Sequence, residues 1–174
     1  MIRKYFWTFG LLLSFCSLLT SQSTAQLDDS TNTESLRGLK AVVVTVKGIS
    51  PEAERDGVTK DKLRTDVELK LRQAGIRVVA FEEWKKTKED GIGWLDLTVG
   101  ALKNDSGTFY ACDILLKLMQ PVLLQRDPLK KTFATTWSTG SVGIYGMMNL
   151  QGIRKEVGDK VDEFTNSYLS VNPK

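Results

Sequence analysis

The sequence predicts an α/β (α+β) two-layer sandwich in the order βαββββα, with a mixed five-stranded sheet carrying two helices on one face. Three observations predict it. Apolar residues alternate along Leu39–Val46, Trp94–Leu102 and Phe109–Met119, as they do in strands. Two other segments repeat them at helical spacing. Glycine, proline and short polar residues cluster at the joints between these runs.

Residues 1–25 stand apart from this domain. Arg3 and Lys4 precede an apolar run from Phe6 to Leu19, too short to span a bilayer, and Ser23 and Ala25 are small residues placed for cleavage before Gln26. The pattern predicts a cleaved signal peptide and a periplasmic or secreted domain, with no transmembrane segment left after cleavage. A lipoprotein is the alternative, since Leu13-Ser14-Phe15-Cys16 is partly lipobox-like; Phe15 stands where that motif takes a small residue. Residues 26–37 are largely polar and without periodicity, which predicts a flexible leader before a single domain over 38–174.

In the first strand, Val42, Val44 and Val46 share one face, and Pro51 and Gly57 mark the loop that ends it. A helix follows from about Lys60 to Ala74, with Thr59 as N-cap and Leu63, Val67, Leu71 and Ala74 on one face; Gly75 suits its C-terminus. Ile76–Phe81 is the second strand, completing a βαβ crossover. Trp94–Leu102 and Phe109–Met119 join through the turn Lys103-Asn104-Asp105-Ser106-Gly107, and Thr132–Thr139 completes a meander, with a bend, bulge or edge expected at Pro121. Leu150, Ile153, Val157, Val161, Phe164 and Tyr168 form the apolar face of the last helix, with Asn149 as its candidate N-cap.

Composition narrows the function. The chain holds 24 basic and 21 acidic residues, and loss of residues 1–25 removes two bases and no acid, so the exported part is nearly neutral. A nucleic-acid binder needs a basic stripe that is not here. The chain has no histidine, which removes Ser-His-Asp and Cys-His nucleophiles and His-containing zinc sites. After cleavage Cys112 is the one cysteine, expected as a buried structural thiol. No P-loop or GxGxxG spacing appears, and no cofactor is implied.

Asp96 and Asp113 interrupt apolar strands that should pair as a hairpin. They are expected on a polar outer face with Thr45, Thr98 and Lys117, pointing to water; side by side, two carboxylates can also serve as an acid–base pair or hold a cation. Gly140–Asn149 reads as a flexible glycine-rich loop bearing Ile144, Tyr145, Met147 and Met148, and Trp84 lies in a charged stretch; these five form the candidate partner-binding surface.

The signal peptide, the βαβ unit, the meander and the closing helix over about residues 38–171 resemble small bacterial periplasmic domains of the TolB N-terminal, LpoB-like and CsgG-like kind. That resemblance is architectural. It implies an exported, non-enzymatic binding or envelope-assembly module with a protein or cell-envelope partner, and transfers no functional residue. The alternatives are a hydrolase-type enzyme using Asp96 and Asp113 or a bound cation, and a binder of a small apolar ligand between sheet and helices.

Overall fold

A computed structural model of the chain describes residues 29–86 and 89–173. The expected signal peptide, its expected cleavage site after Ala25, and Cys16 lie outside the described residues. The elements in order are α1 (Asp29–Glu34), β1 (Ala41–Lys47), α2 (Pro51–Arg55), α3 (Lys60–Gln73), β2 (Val78–Val79), α4 (Phe81–Trp84), β3 (Ile92–Lys103), β4 (Phe109–Leu124), β5 (Asp127–Gly146) and α5 (Gln151–Val171).

The strands form one mixed sheet in the order β2-β1-β3-β4-β5. β1 runs parallel to β2 and β3, and β3, β4 and β5 are an antiparallel meander. With α3 and α5 packed against the sheet, this is the expected two-layer α/β arrangement. Register puts Val42, Val44 and Val46 of β1, Leu95, Leu97 and Val99 of β3, and Cys112, Ile114, Leu116 and Leu118 of β4 on the face toward these helices. Leu63, Val67 and Leu71 descend from α3, and Ile153, Val157, Val161 and Phe164 from α5. Each fully buried aliphatic or aromatic side chain contributes about 1.5–3 kcal/mol. Thr59 caps α3 by accepting from Lys62 N at 3.4 Å, and Gly75 takes φ 83° just past its end.

The opposite face of the sheet, the reverse face, has no long helix on it. At the β1–β2 end it is covered by α4, whose Trp84 packs on buried Ala41, Val79 and Ile92. This explains why β1 reads as an almost unbroken apolar run, since Val43 is buried on that side as well.

Four expectations need correction, and one resolves to a single alternative. Residues 29–37 were expected to belong to a flexible leader; α1 occupies much of that stretch, and Leu36 is fully buried in the core. The second strand has two paired residues, because the chain turns into α4 at Phe81. The bend, bulge or edge expected at Pro121 is an edge: β4 continues through it to Leu124 and, past the Trp94–Met119 pair, joins only β5, as a two-stranded arm that tolerates proline. Gly140–Gly146, expected as a loop, is the second half of β5. Asn149 lies in a 3-10 turn, and the residue at the α5 N-cap is Leu150, with no side-chain cap bond.

Those glycines are there for close approach. A Cβ at Gly140 would stand 2.9 Å from Ile114 O, and one at Gly143 would stand 3.0 Å from the Tyr145 ring. The Tyr145 ring then reaches α5, where a Cβ on Gly152 would meet it at 2.9 Å. Gly143 and Gly152 form a slot for one aromatic ring. Gly140 and Gly143, expected as loop residues, are thus a packing device within a strand.

Candidate functional site

The reverse face holds two neighbourhoods, at opposite ends of β3. The first is aromatic. Trp84 lies 5.8 Å from Phe81, 6.0 Å from Trp94 and 6.4 Å from Phe133, measured between ring centroids. Trp94 is held by a polar chain along the same face: its Nε1 donates to Thr45 Oγ1 at 2.7 Å, and Thr45 Oγ1 donates to Asp96 Oδ1 at 2.8 Å. Lys47 Nζ stands 2.7 Å from Asp96 Oδ2, an ion contact outside hydrogen-bond geometry. A groove of about 280 Å³ opens between this cluster and the arm, lined by Trp84, Gly91, Ile92, Pro121 and Phe133 among others.

Asp96 therefore overturns the expectation of a carboxylate pointing to water. It is 1% exposed. Its oxygens orient Thr45, Trp94 and Lys47, and a buried carboxylate requires partners of this kind. Register also separates the two aspartates: Asp96 faces Lys117, whereas exposed Asp113 faces Gly100, four residues further along β3. At the strand rise this is about 13 Å, beyond the spacing of a carboxylate pair that works on one bond. Among the described residues, no three acidic or thiol side chains converge as a metal site would require. Cys112 is buried, and desolvation first, then the charge of Asp113, pushes its thiol up to about 11, which leaves it protonated and unreactive.

A second polar lock lies at the far end of the sheet. Tyr110 is fully buried on the core face and its hydroxyl donates to Asp56 Oδ2 at 2.8 Å, while Lys103 Nζ reaches the same oxygen at 2.8 Å. This ties the end of α2 to the β3–β4 hairpin. Burial first, then the bond to Asp56, raises the phenol to about 12; Lys103 first, then Tyr110, lowers the Asp56 carboxyl. The raised phenol contributes stability that is complete below its ordinary pKa of 10.0 and is lost as pH rises toward about 12. Asp56 works in the other direction, and its contribution is lost as pH falls below the ordinary carboxylate range. Wild type is thus expected to be more stable than Tyr110→Phe near neutrality, with the gap narrowing in alkali. Urea midpoints across that range check it, and a constant gap would contradict the assignment.

The second neighbourhood is aliphatic. β5 residues alternate between faces, so the five candidate contact residues are split. Tyr145 and Met147 are partly buried against the core. Ile144 is 73% exposed, and Met148, in the turn after β5, is fully exposed. Ile144 aligns with Ala111, which aligns with Leu102; in the next row Val142 aligns with Asp113 and Gly100. Leu102, Val142 and Ile144 are 76%, 86% and 73% exposed and form a patch on the flat reverse face. Trp84 stands at the other end of β3 and does not join it. The sequence reading singled out neither Leu102 nor Val142 as a contact residue. Recognising them needed the β3–β4–β5 register, which turns separate exposed residues into neighbours.

A wider groove of about 500 Å³ runs between α3 and α5, on the helical side of the molecule. It is crossed by ion pairs: Arg154 grips Asp66 through two bonds of 2.8 and 2.9 Å, and Lys70 reaches Asp162 at 2.6 Å, passing over Gly158, where a Cβ would lie 3.3 Å from its stem. It is a charged surface groove, unlike the apolar pocket between sheet and helices that a small ligand was expected to need. No helix among the described residues is long and apolar enough to cross a membrane.

No protein-family model matches the chain, and no curated protein matches it by sequence. Solved structures offer distant similarity. A variant PelC dodecamer from Paraburkholderia phytofirmans aligns over 72% of this chain and 86% of that one, at 16% identity and a TM-score of 0.47. A second PelC dodecamer from the same organism aligns over 78% and 87%, at 16% identity and a TM-score of 0.39. A neuraminyllactose-binding hemagglutinin homolog from Helicobacter pylori aligns over 75% and 83%, at 15% identity and a TM-score of 0.38. At this distance no family is assigned.

Proposed function

We propose that the chain is an exported, non-catalytic module that binds a protein partner of the cell envelope through the aliphatic end of its reverse face. The observation that carries this reading is the register-matched patch of Leu102, Val142 and Ile144. Large aliphatic side chains exposed side by side on one sheet face mark contact surfaces, whereas scattered ones do not. Asp113, in the same row as Val142, supplies a polar rim. Met148 extends the surface beyond β5, and Tyr145 and Met147 brace it from the core side. The carboxylates suited to hydrolysis stand apart or are engaged, which leaves the binding reading ahead of the enzymatic one.

A photoreactive side chain at position 144 in intact cells tests this surface, with position 129 as control because Leu129 is also apolar and 95% exposed. The expected result is an adduct at 144 with a mass other than a multiple of the chain's, absent at 129 and abolished by Leu102→Glu. Equal crosslinking at both positions, or an adduct indifferent to Leu102→Glu, would remove the surface. Export is checked by sequencing the mature N-terminus, expected to begin at Gln26.

A further inference from the structure

We propose that the free edge of β5 pairs antiparallel with the β5 edge of a second copy of this chain, about a twofold axis at Ser141. The proposal is independent of the aliphatic patch and its partner. β5 ends the sheet, and no strand among the described residues covers its outer side. Proteins blunt such edges with charge, proline or very short strands. The other edge follows that rule, since β2 has two residues. β5 does not: Thr132–Gly146 is a run of fifteen residues with neither a charge nor a proline.

The direction of its backbone groups follows from one bond. Met147 N donates to Thr108 O at 3.0 Å, continuing the β4–β5 ladder. Residues of that parity turn toward β4, so Ser138, Gly140, Val142 and Ile144 turn their N–H and C=O groups outward. The bulge at Thr136 and its tether to Ser35 lie before this stretch and leave it open.

A second copy fits this edge for two reasons. Charge is matched, because a neutral strand meets its own neutral sequence and no like charges oppose. Symmetry also answers an unmet need. Ser141 Oγ, closed off from solvent within one chain, has no hydrogen-bond partner among the described residues, and the pairing requires it to turn toward the edge. An axis at Ser141 sets that residue opposite itself in a non-hydrogen-bonded pair, where side chains approach closest, while Gly140 and Val142 exchange backbone bonds with Val142 and Gly140 of the other copy. An unrelated extended peptide offers the backbone but not the matching hydroxyl. The product is one continuous ten-stranded sheet with the helices of both copies on the same side.

Sedimentation equilibrium of the mature chain tests the proposal. Wild type is expected at twice the chain mass and Val142→Pro at the chain mass with native circular dichroism, since proline there removes only an outward donor. Leu102→Glu is expected to remain dimeric, which separates this interface from the partner patch. Should Val142→Pro fail to fold, crosslinking decides: mild oxidation is expected to link Ser141→Cys into a covalent dimer and to leave Ser138→Cys monomeric, with buried Cys112 not competing. A monomeric wild type overturns the proposal and leaves the edge to an extended peptide. A dimer indifferent to Val142→Pro, or equal crosslinking at both cysteines, also overturns it.

Discussion

Phe164→Ala is expected to lower the unfolding free energy by about 3–5 kcal/mol, the cost of truncating a buried aromatic residue to alanine. Phe164 is fully buried on α5, and its ring meets Trp137 of β5 edge-on at 5.1 Å. A pair of this geometry adds about 0.5–1.5 kcal/mol beyond the area it buries. Trp137 lies next to the β5 bulge, opposite Leu118, so this contact holds the helix to the strand where the ladder is irregular. A domain of this size is stable by only about 5–15 kcal/mol, and one substitution would consume a large part of that margin. Urea unfolding followed by tryptophan fluorescence and far-ultraviolet circular dichroism checks it. Phe133→Ala is the control: this side chain is 47% exposed on the arm, and its loss is expected to cost much less. Equal shifts for the two variants would contradict the assignment of Phe164 to the central core.

The elements legible in the sequence were those whose periodicity arises from one buried face. The Leu63–Val67–Leu71 face of α3, the Ile153–Val157–Val161–Phe164 face of α5 and the alternation of β3 and β4 all face the same core, and local spacing records that fact. Features that depend on long-range neighbours were misread. Asp96 looks like an outward residue by alternation, and only the presence of Thr45, Lys47 and Trp94 across the strand pair makes its burial tolerable. Gly140 and Gly143 look like loop punctuation, and only the position of Ile114 and the Tyr145 ring shows what their missing side chains permit. The same limit applies to the candidate surface. Ile144 was visible as an apolar residue, but β5 alternation turns Tyr145 inward and register, not sequence proximity, supplies Leu102 and Val142.

Leu36→Ala is expected to cost about 2–5 kcal/mol, and a chain beginning at Gly38 is expected to melt well below one beginning at Gln26. The segment just ahead of β1 looks dispensable by composition, yet it is sealed into the domain from two sides. Leu36 is fully buried, Ser35 Oγ donates to Thr136 O at 3.0 Å, and Gln120 Nε2 donates to Ser35 O at 3.0 Å. The first of these bonds occupies the Thr136 carbonyl at the β5 bulge, outside the ladder. On the other side, Asn172 Nδ2 donates to Leu36 O at 2.9 Å, and Gly38 N donates to Asn172 Oδ1 at 2.8 Å. Tyr168 Oη donates to Leu39 O at 3.1 Å, so the entry to β1 and the exit of α5 form one closed joint. Leu36→Ala removes apolar contact but keeps these backbone bonds, whereas truncation at Gly38 removes that contact together with the bonds made by Ser35 and Leu36, and the truncated chain should therefore be the less stable of the two. Thermal melts of both variants beside the mature protein decide it: unchanged midpoints would show that the domain starts at β1. If the midpoints fall as expected, the stretch from α1 to Gly38 is part of the folded domain and not a free tether ahead of it.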